Sequence, residues 1–369
     1  MESRLSYSSF RTVAIRLAGE ALWRTPGHFG IARALDSSYA LRCVLFHNIA
    51  AEHSAFTRGM NVNITPDKFE AALKFLTRNY TPVSLDDVLT DCDGRGLPSR
   101  AVLVTFDDAY ASVAECAAPL CHRYGVPAVF FVNAAFLDNQ RLAPDNLVCY
   151  VANSLGMDAI RAAARGVRRG EDLELASLSD VFASFFPAIS LAERGAFLEA
   201  LCRLAGINEG RTAEEAGLYL TRKQLCGLAS FGFEIGNHTY SHVHGRSLTT
   251  ADLAQEIEGN KAELEASSHT KVRSFSQPYG SSKDLTSDLK ACLERSGHKA
   301  VFLSESVANR RGADPFHLDR VSARADSDDA LFFELEILPR LRVIRNRRFR
   351  TPSSSARAQE PLSQARRHS

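Results

Sequence analysis

Three short polar clusters combine residue types that can do chemistry. The first, Thr105-Phe106-Asp107-Asp108, sets two carboxylates side by side. Adjacent side chains at the end of a strand point in different directions, so one can hold a cation while the other works on a nearby water. The second, Gly236-Asn237-His238-Thr239-Tyr240-Ser241-His242, spaces two imidazoles as His-x-x-x-His, which lets both converge on one ion. Zinc proteases of the His-Glu-x-x-His type share that spacing, but Thr239 follows the first histidine here, so their glutamate base is missing. The third cluster is Ser276-Gln277-Pro278-Tyr279-Gly280. Taken singly, the aspartate pair also reads as a turn or helix cap, and Pro-Tyr-Gly as a plain turn. His244 reads as a solvent-exposed neighbour of the ligand pair, and His298, in Ser296-Gly297-His298-Lys299, as a surface residue at a helix end.

The elements around these clusters make them more specific together than apart. Leu41 to His47, Ala101 to Phe106, Ala128 to Val132, Phe233 to Ile235, Val272 to Ser276 and Lys299 to Leu303 are apolar, β-rich runs. Helical segments separate them: Thr65-Pro66 supplies an N-cap followed by proline at the first helical position, and further helices are expected around 250–267 and 284–295. Strand, helix, strand order implies parallel strands with right-handed crossovers, hence an α/β fold built as a closed or nearly closed (β/α) barrel. In such barrels chemistry gathers at the C-terminal strand ends, and each polar cluster directly follows a strand. Between about 138 and 220 the alternation gives way to a helical insertion. It holds no cluster of candidate ligands, so it is expected to govern substrate choice more than chemistry.

On these residues the chain resembles the polysaccharide deacetylases of carbohydrate esterase family four, with the NodB homology domain. Val102 to Tyr110 and Val126 to Val132 are similar to the family's first motif and the strand after it, Gly232 to His242 to its second, and Phe275 to Gly280 to the Pro-Tyr-Gly form of its third. The resemblance spans about 41–323 and implies a distorted, incomplete (β/α) barrel, a divalent ion such as Zn2+, Co2+ or Ni2+, and hydrolysis of acetamido groups on sugars. It implies Asp107 as general base, Asp108, His238 and His242 as metal ligands, and Tyr279 as the residue whose backbone N–H helps hold the oxyanion. Val44-Leu45-Phe46-His47-Asn48 is similar to the first-strand motif of the poly-N-acetylglucosamine deacetylase branch, which implies His47 as the acid that protonates the departing amine. The chain departs from the family in three places. Ser276 stands where many members carry an arginine, so orientation of Asp107 must come from elsewhere, with Arg320 a candidate substitute; the one tryptophan, Trp23, is far from the tryptophan motif; and His317 is the nearest stand-in for the late catalytic histidine and so His47's rival.

Bulk properties set the remaining bounds. A length of 369 residues with 45% hydrophobic and 24% charged content suits one large domain with appendages. The expected division is an N-terminal helical segment over 1–40, the deacetylase-like domain over 41–325, a C-terminal helix and basic segment over 326–350, and a disordered tail over 351–369. A net charge of +1 gives no global field for nucleic acid. The eight cysteines include no Cys-x-x-Cys pair and read as reduced thiols. Residues 8–35 suggest an amphipathic helix ending near Pro26-Gly27; charges interrupt every apolar run there, so neither a secretory signal nor a membrane span is expected, and the expected location is the cytoplasm or the inner face of a membrane. That helix and the six arginines between Arg340 and Arg350 are the candidates for peripheral membrane contact. The partner implied by the resemblance is an N-acetylated glycan. Rival readings are an amidase or cyclic-imide hydrolase on the same barrel, and a catalytically silent sugar-binding protein of an envelope-polysaccharide pathway.

Overall fold

The computed structural model describes residues 17–19, 21–35, 37–92, 96–168 and 174–349. Six parallel strands follow the expected order: β1 (Tyr39–Phe46), β2 (Ala101–Phe106), β3 (Ala128–Val132), β4 (Glu234–Asn237), β5 (Ser274–Ser276) and β6 (Ala300–Leu303), each paired with the next. Two short strands then nearly close the barrel. β7 (Leu318–Asp319) runs parallel to β6, while β8 (Val321–Ser322) runs parallel to β1. Arg320 stands between them at the seam. Strands β1, β2 and β3 are almost wholly buried because their apolar runs face the barrel interior on one side and covering helices on the other.

Local signals account for much of this layout. Helix α1 (Pro66–Asn79) begins where Thr65 Oγ1 accepts from Lys68 N and Pro66 occupies the first turn, and it buries Phe69, Leu73 and Leu76 against the sheet. The insertion leaves the barrel after β3 and returns before β4. Its helices α2 (Pro144–Leu155) and α3 (Leu191–Ala205) contribute Leu147, Val148, Phe197 and Leu201 to a core of their own. Tyr110, two residues past Asp108, belongs to that same core, so the insertion is packed directly on the first cluster's strand end.

The described part of the N-terminal segment docks on the domain. Trp23 packs against Phe75 and Phe332 at ring-centroid distances of 5.6 and 5.4 Å, and the chain turns at residues 24–27 into a further helix, His28–Leu35, instead of ending there. Residues 8–16 lie outside the described residues, as does the expected tail over 351–369. The C-terminal helical stretch is held to β1 through Glu336, which accepts from Arg42 at 2.8 and 2.9 Å and from Arg340 at 2.6 Å. Arg340 is therefore buried and cannot serve as a surface contact, because its carboxylate partner lies one helical turn before it. Among the described residues no helix is long and apolar enough to cross a membrane. The seven cysteines whose side chains are described are all free.

Candidate metal centre and active site

Asp107 and Asp108 leave β2, His238 and His242 follow β4, and Tyr279 follows β5, all at C-terminal strand ends. The structure brings them together. His238 Nε2 and His242 Nε2 lie 3.3 and 3.4 Å from Asp108 Oδ1, and the three side chains offer donor atoms all within 4.8 Å of one another. Tetrahedral bonds of about 2.0–2.2 Å would place ligand atoms roughly 3.3–3.6 Å apart, so the donor set and its spacing fit a zinc-like ion. The outer ring nitrogens are committed elsewhere: His238 Nδ1 donates to Ser276 O at 2.8 Å, and His242 Nδ1 to Asp145 Oδ2 at 2.6 Å. With Nδ1 engaged in each ring, Nε2 is the atom turned toward Asp108 and the one each histidine can offer to an ion once that nitrogen is deprotonated.

Asp107 stands beside this set with both oxygens held. Arg320 grips them as a fork at 2.7 and 2.8 Å, and Ser276 Oγ donates to Oδ2 at 3.1 Å. Arg320 thus occupies the role left vacant at Ser276, and Ser276 itself accepts from Arg320 at 2.7 Å. Burial disfavours the charged carboxylate, but Arg320 and His238 outweigh it and hold Asp107 below its usual range. The stability gained from this pairing is present above the ordinary aspartate pKa and is lost as pH falls through the depressed value.

His47 follows β1 and lines the same cavity, of about 800 Å³, together with Asp107, Asp108, Tyr279 and Arg320. Burial pushes its pKa down against the opposing pull of Asp108 and Asp107. His317 is exposed at a turn and is not among the residues lining that cavity. Two other histidines depart from expectation. His244 is buried: its ring stacks on Tyr279 at 3.8 Å, and its nitrogens meet Asp284 at 3.1 Å and the Phe182 carbonyl at 2.8 Å, because the loop after His242 runs beneath the insertion. His298 is also buried, since Gly297 at φ 83° turns the chain inward and brings His298 Nε2 to Asn237 Nδ2 at 3.3 Å. Desolvation lowers His298 to about 4.

Backbone strain gathers here as well. Asp108, Thr239, His242 and Tyr279 all have φ between 53° and 71°, where non-glycine residues are uncommon. Gly280 follows at φ 68°, and a Cβ there would lie 1.6 Å from Ser304 Oγ and 2.8 Å from Ser304 N. Gly280→Ala is therefore expected to destabilise the fold by about 1–3 kcal/mol, read as a lower denaturation midpoint at unchanged slope. A midpoint equal to the parent's would show that this turn relaxes freely.

The insertion takes a direct part in the site although no cluster of candidate ligands lies within it. Asp145, in the first turn of α2, contacts His242, and Tyr279 Oη donates to Asp145 Oδ1 at 3.0 Å. Arg194 on α3, itself buried, donates to the His242 carbonyl at 2.9 Å. An acidic residue just after Pro144 was visible as a helix start, but nothing local tied it to a histidine 97 positions away. Leu178 and Phe182 complete one wall of the cavity, as expected for a segment near a strand end.

Comparison with known proteins bears on the fold and on part of the sequence. The polysaccharide deacetylase family model matches residues 180–301, which include His238, His242 and Tyr279. No curated protein matches the sequence. Among solved structures, the chain is similar to the Streptococcus pyogenes deacetylase PplD in complex with acetate, at TM-score 0.53 and 15% identity over 80% of this chain and 98% of that one. It is also similar to IcaB from Ammonifex degensii, at TM-score 0.51 and 19% identity over 80% and 97% of the two chains. A third is the de-N-acetylase from Aggregatibacter actinomycetemcomitans, at TM-score 0.51 and 16% identity over 78% and 96%. At these identities the likeness is one of fold. The family match thus covers the second and third clusters, and the chain shares the barrel of these solved structures along most of its length.

Proposed function

We propose that this protein hydrolyses the acetamide of an N-acetylated glycan in a metal-dependent reaction. The observation that carries the reading is the meeting of two imidazole Nε2 atoms and one carboxylate oxygen at ligand spacing, beside a buried aspartate held ionised by Arg320, in one cavity. A divalent ion held by Asp108, His238 and His242, with zinc the best match to that donor set and cobalt or nickel as alternatives, would supply Lewis acidity to water and to the acetamide carbonyl.

The remaining steps belong to the chain's own groups. Asp107 accepts the proton of the attacking water, and its fork with Arg320 keeps it ionised and aimed. The backbone N–H of Tyr279 is assigned to the developing oxyanion, in a turn whose left-handed φ fixes the direction of the peptide. As the C–N bond breaks, His47 gives a proton to the nitrogen, and acetate and a free amine leave. The names of the similar structures, one a deacetylase holding acetate and one a de-N-acetylase, support the same chemistry. Retention of Asp107 in a built, charged setting argues against a silent binding protein.

Acetate release from a panel of N-acetylated oligosaccharides tests this directly. Stripping the metal with a chelator should cut turnover on the order of 100-fold, and adding zinc should restore it. Release from none of the sugars by zinc-loaded protein, with turnover of simple amides or cyclic imides instead, would replace the glycan with a non-sugar substrate.

A further inference from the structure

We infer that the first turn of the insertion helix α2 is the positioning element of the metal centre, and that Asp145 couples ligand His242 to the Tyr279 turn. This rests on the proposed metal site and adds to it a residue from outside the three motif clusters.

Asp145 is 4% exposed, and both of its oxygens are engaged. Oδ2 accepts from His242 Nδ1 at 2.6 Å, while Oδ1 accepts from Tyr279 Oη at 3.0 Å. One carboxylate thus joins two loops that come from different strands. The two ligand histidines differ in this respect. His238 is oriented by a backbone carbonyl of the neighbouring strand, fixed by the barrel itself, whereas His242 depends on a side chain delivered by the insertion.

The turn that delivers it is firmly held. Pro144 opens α2, and the neighbouring Asn146 donates to Tyr110 Oη at 3.0 Å and accepts from Tyr219 Oη at 2.7 Å. Tyr219 Oη also accepts from Ala143 N at 2.8 Å. Tyr110 lies two residues after Asp108, so the turn is pinned to the strand end that carries the third ligand. The Asp108, His242 and Tyr279 strand ends all converge on residues 143–146. A buried carboxylate on an imidazole N–H fixes tautomer and ring direction and makes the opposite nitrogen a stronger ligand. Through its second oxygen, Asp145 makes the same constraint reach the turn assigned to the oxyanion.

The test compares full-length parent protein with Asp145→Asn, which keeps the shape but loses the charge. Zinc affinity is measured by chelator competition, and the ligand field by the visible spectrum of the cobalt-substituted protein. Asp145→Asn should bind zinc about 10- to 100-fold more weakly and shift the cobalt bands. At saturating zinc it should still show a lowered kcat with KM little changed, because the Tyr279 turn is no longer held. If Asp145→Asn does not fold, Tyr279→Phe removes only one partner of the same carboxylate. The coupling then requires a displaced cobalt spectrum and a few-fold weaker zinc binding. Parent-like affinity and spectrum in whichever of the two variants folds would overturn the inference. A parent protein that binds no zinc would instead overturn the metal site itself, so the two failures are distinguishable.

Discussion

Replacing Asp107 with asparagine should lower acetate release by about 100- to 10,000-fold while the protein still binds its metal. Asparagine keeps the size of the side chain but cannot accept the water's proton. Metal retention is expected because Asp107 is not one of the three converging ligands; its Oδ2 lies 3.8 Å from His238 Nε2, beyond the Asp108 contact. The same change strips a buried guanidinium of its carboxylate. Arg320 is 1% exposed, and breaking a buried pair by removing one partner typically costs about 3–5 kcal/mol. Asp107→Asn should therefore also unfold at lower temperature, and activity must be read per mole of folded, zinc-loaded protein. Turnover within about tenfold of the parent under that normalisation would remove Asp107 from the base role, since a lost general base costs more than that.

His47→Ala should be the second large loss, again about 100- to 10,000-fold on acetamido sugars. The discriminating measurement is a comparison of leaving groups. An amine must be protonated as it departs, whereas an activated acetyl ester expels a group that needs no proton. The His47→Ala deficit should shrink on such an ester. Burial lowers the pKa of His47, which makes its imidazolium a stronger acid but leaves less of it protonated at neutral pH. His317→Ala should stay near the parent rate, because His317 is exposed and away from the cavity lining. A parent-like rate for His47→Ala together with a collapsed rate for His317→Ala would transfer the acid role and show that the cavity changes shape before reaction.

These outcomes depend on different kinds of information in the chain. The six principal strands and the turns after them are locally encoded. Ala101–Phe106 and Ala128–Val132 run as expected to the residue, because continuous apolar segments bounded by polar turns have few other places in a parallel barrel. Asp108, His238 and His242 were legible for the same reason: a barrel carries its strand ends to one rim, so polar clusters after strands must meet there. His-x-x-x-His states its own geometry, and Thr65-Pro66 its helix start.

Tertiary structure decided the rest, and in each case the cause is a contact between distant segments. Arg320 reaches Asp107 across 213 positions because β7 and β8 close the barrel at the seam that carries it. The choice between His47 and His317 depends on which one faces the cavity, a question of side-chain placement that neither motif answers. His244 and His298 carry no sequence mark of burial; packing under the insertion and beneath β4 put them inside. Asp145 shows the limit most clearly. Its own neighbourhood specifies only the first turn of a helix. Its partnership with His242 exists because the insertion core, with Tyr110 and Tyr219 at its centre, sets that turn against the rim of the barrel.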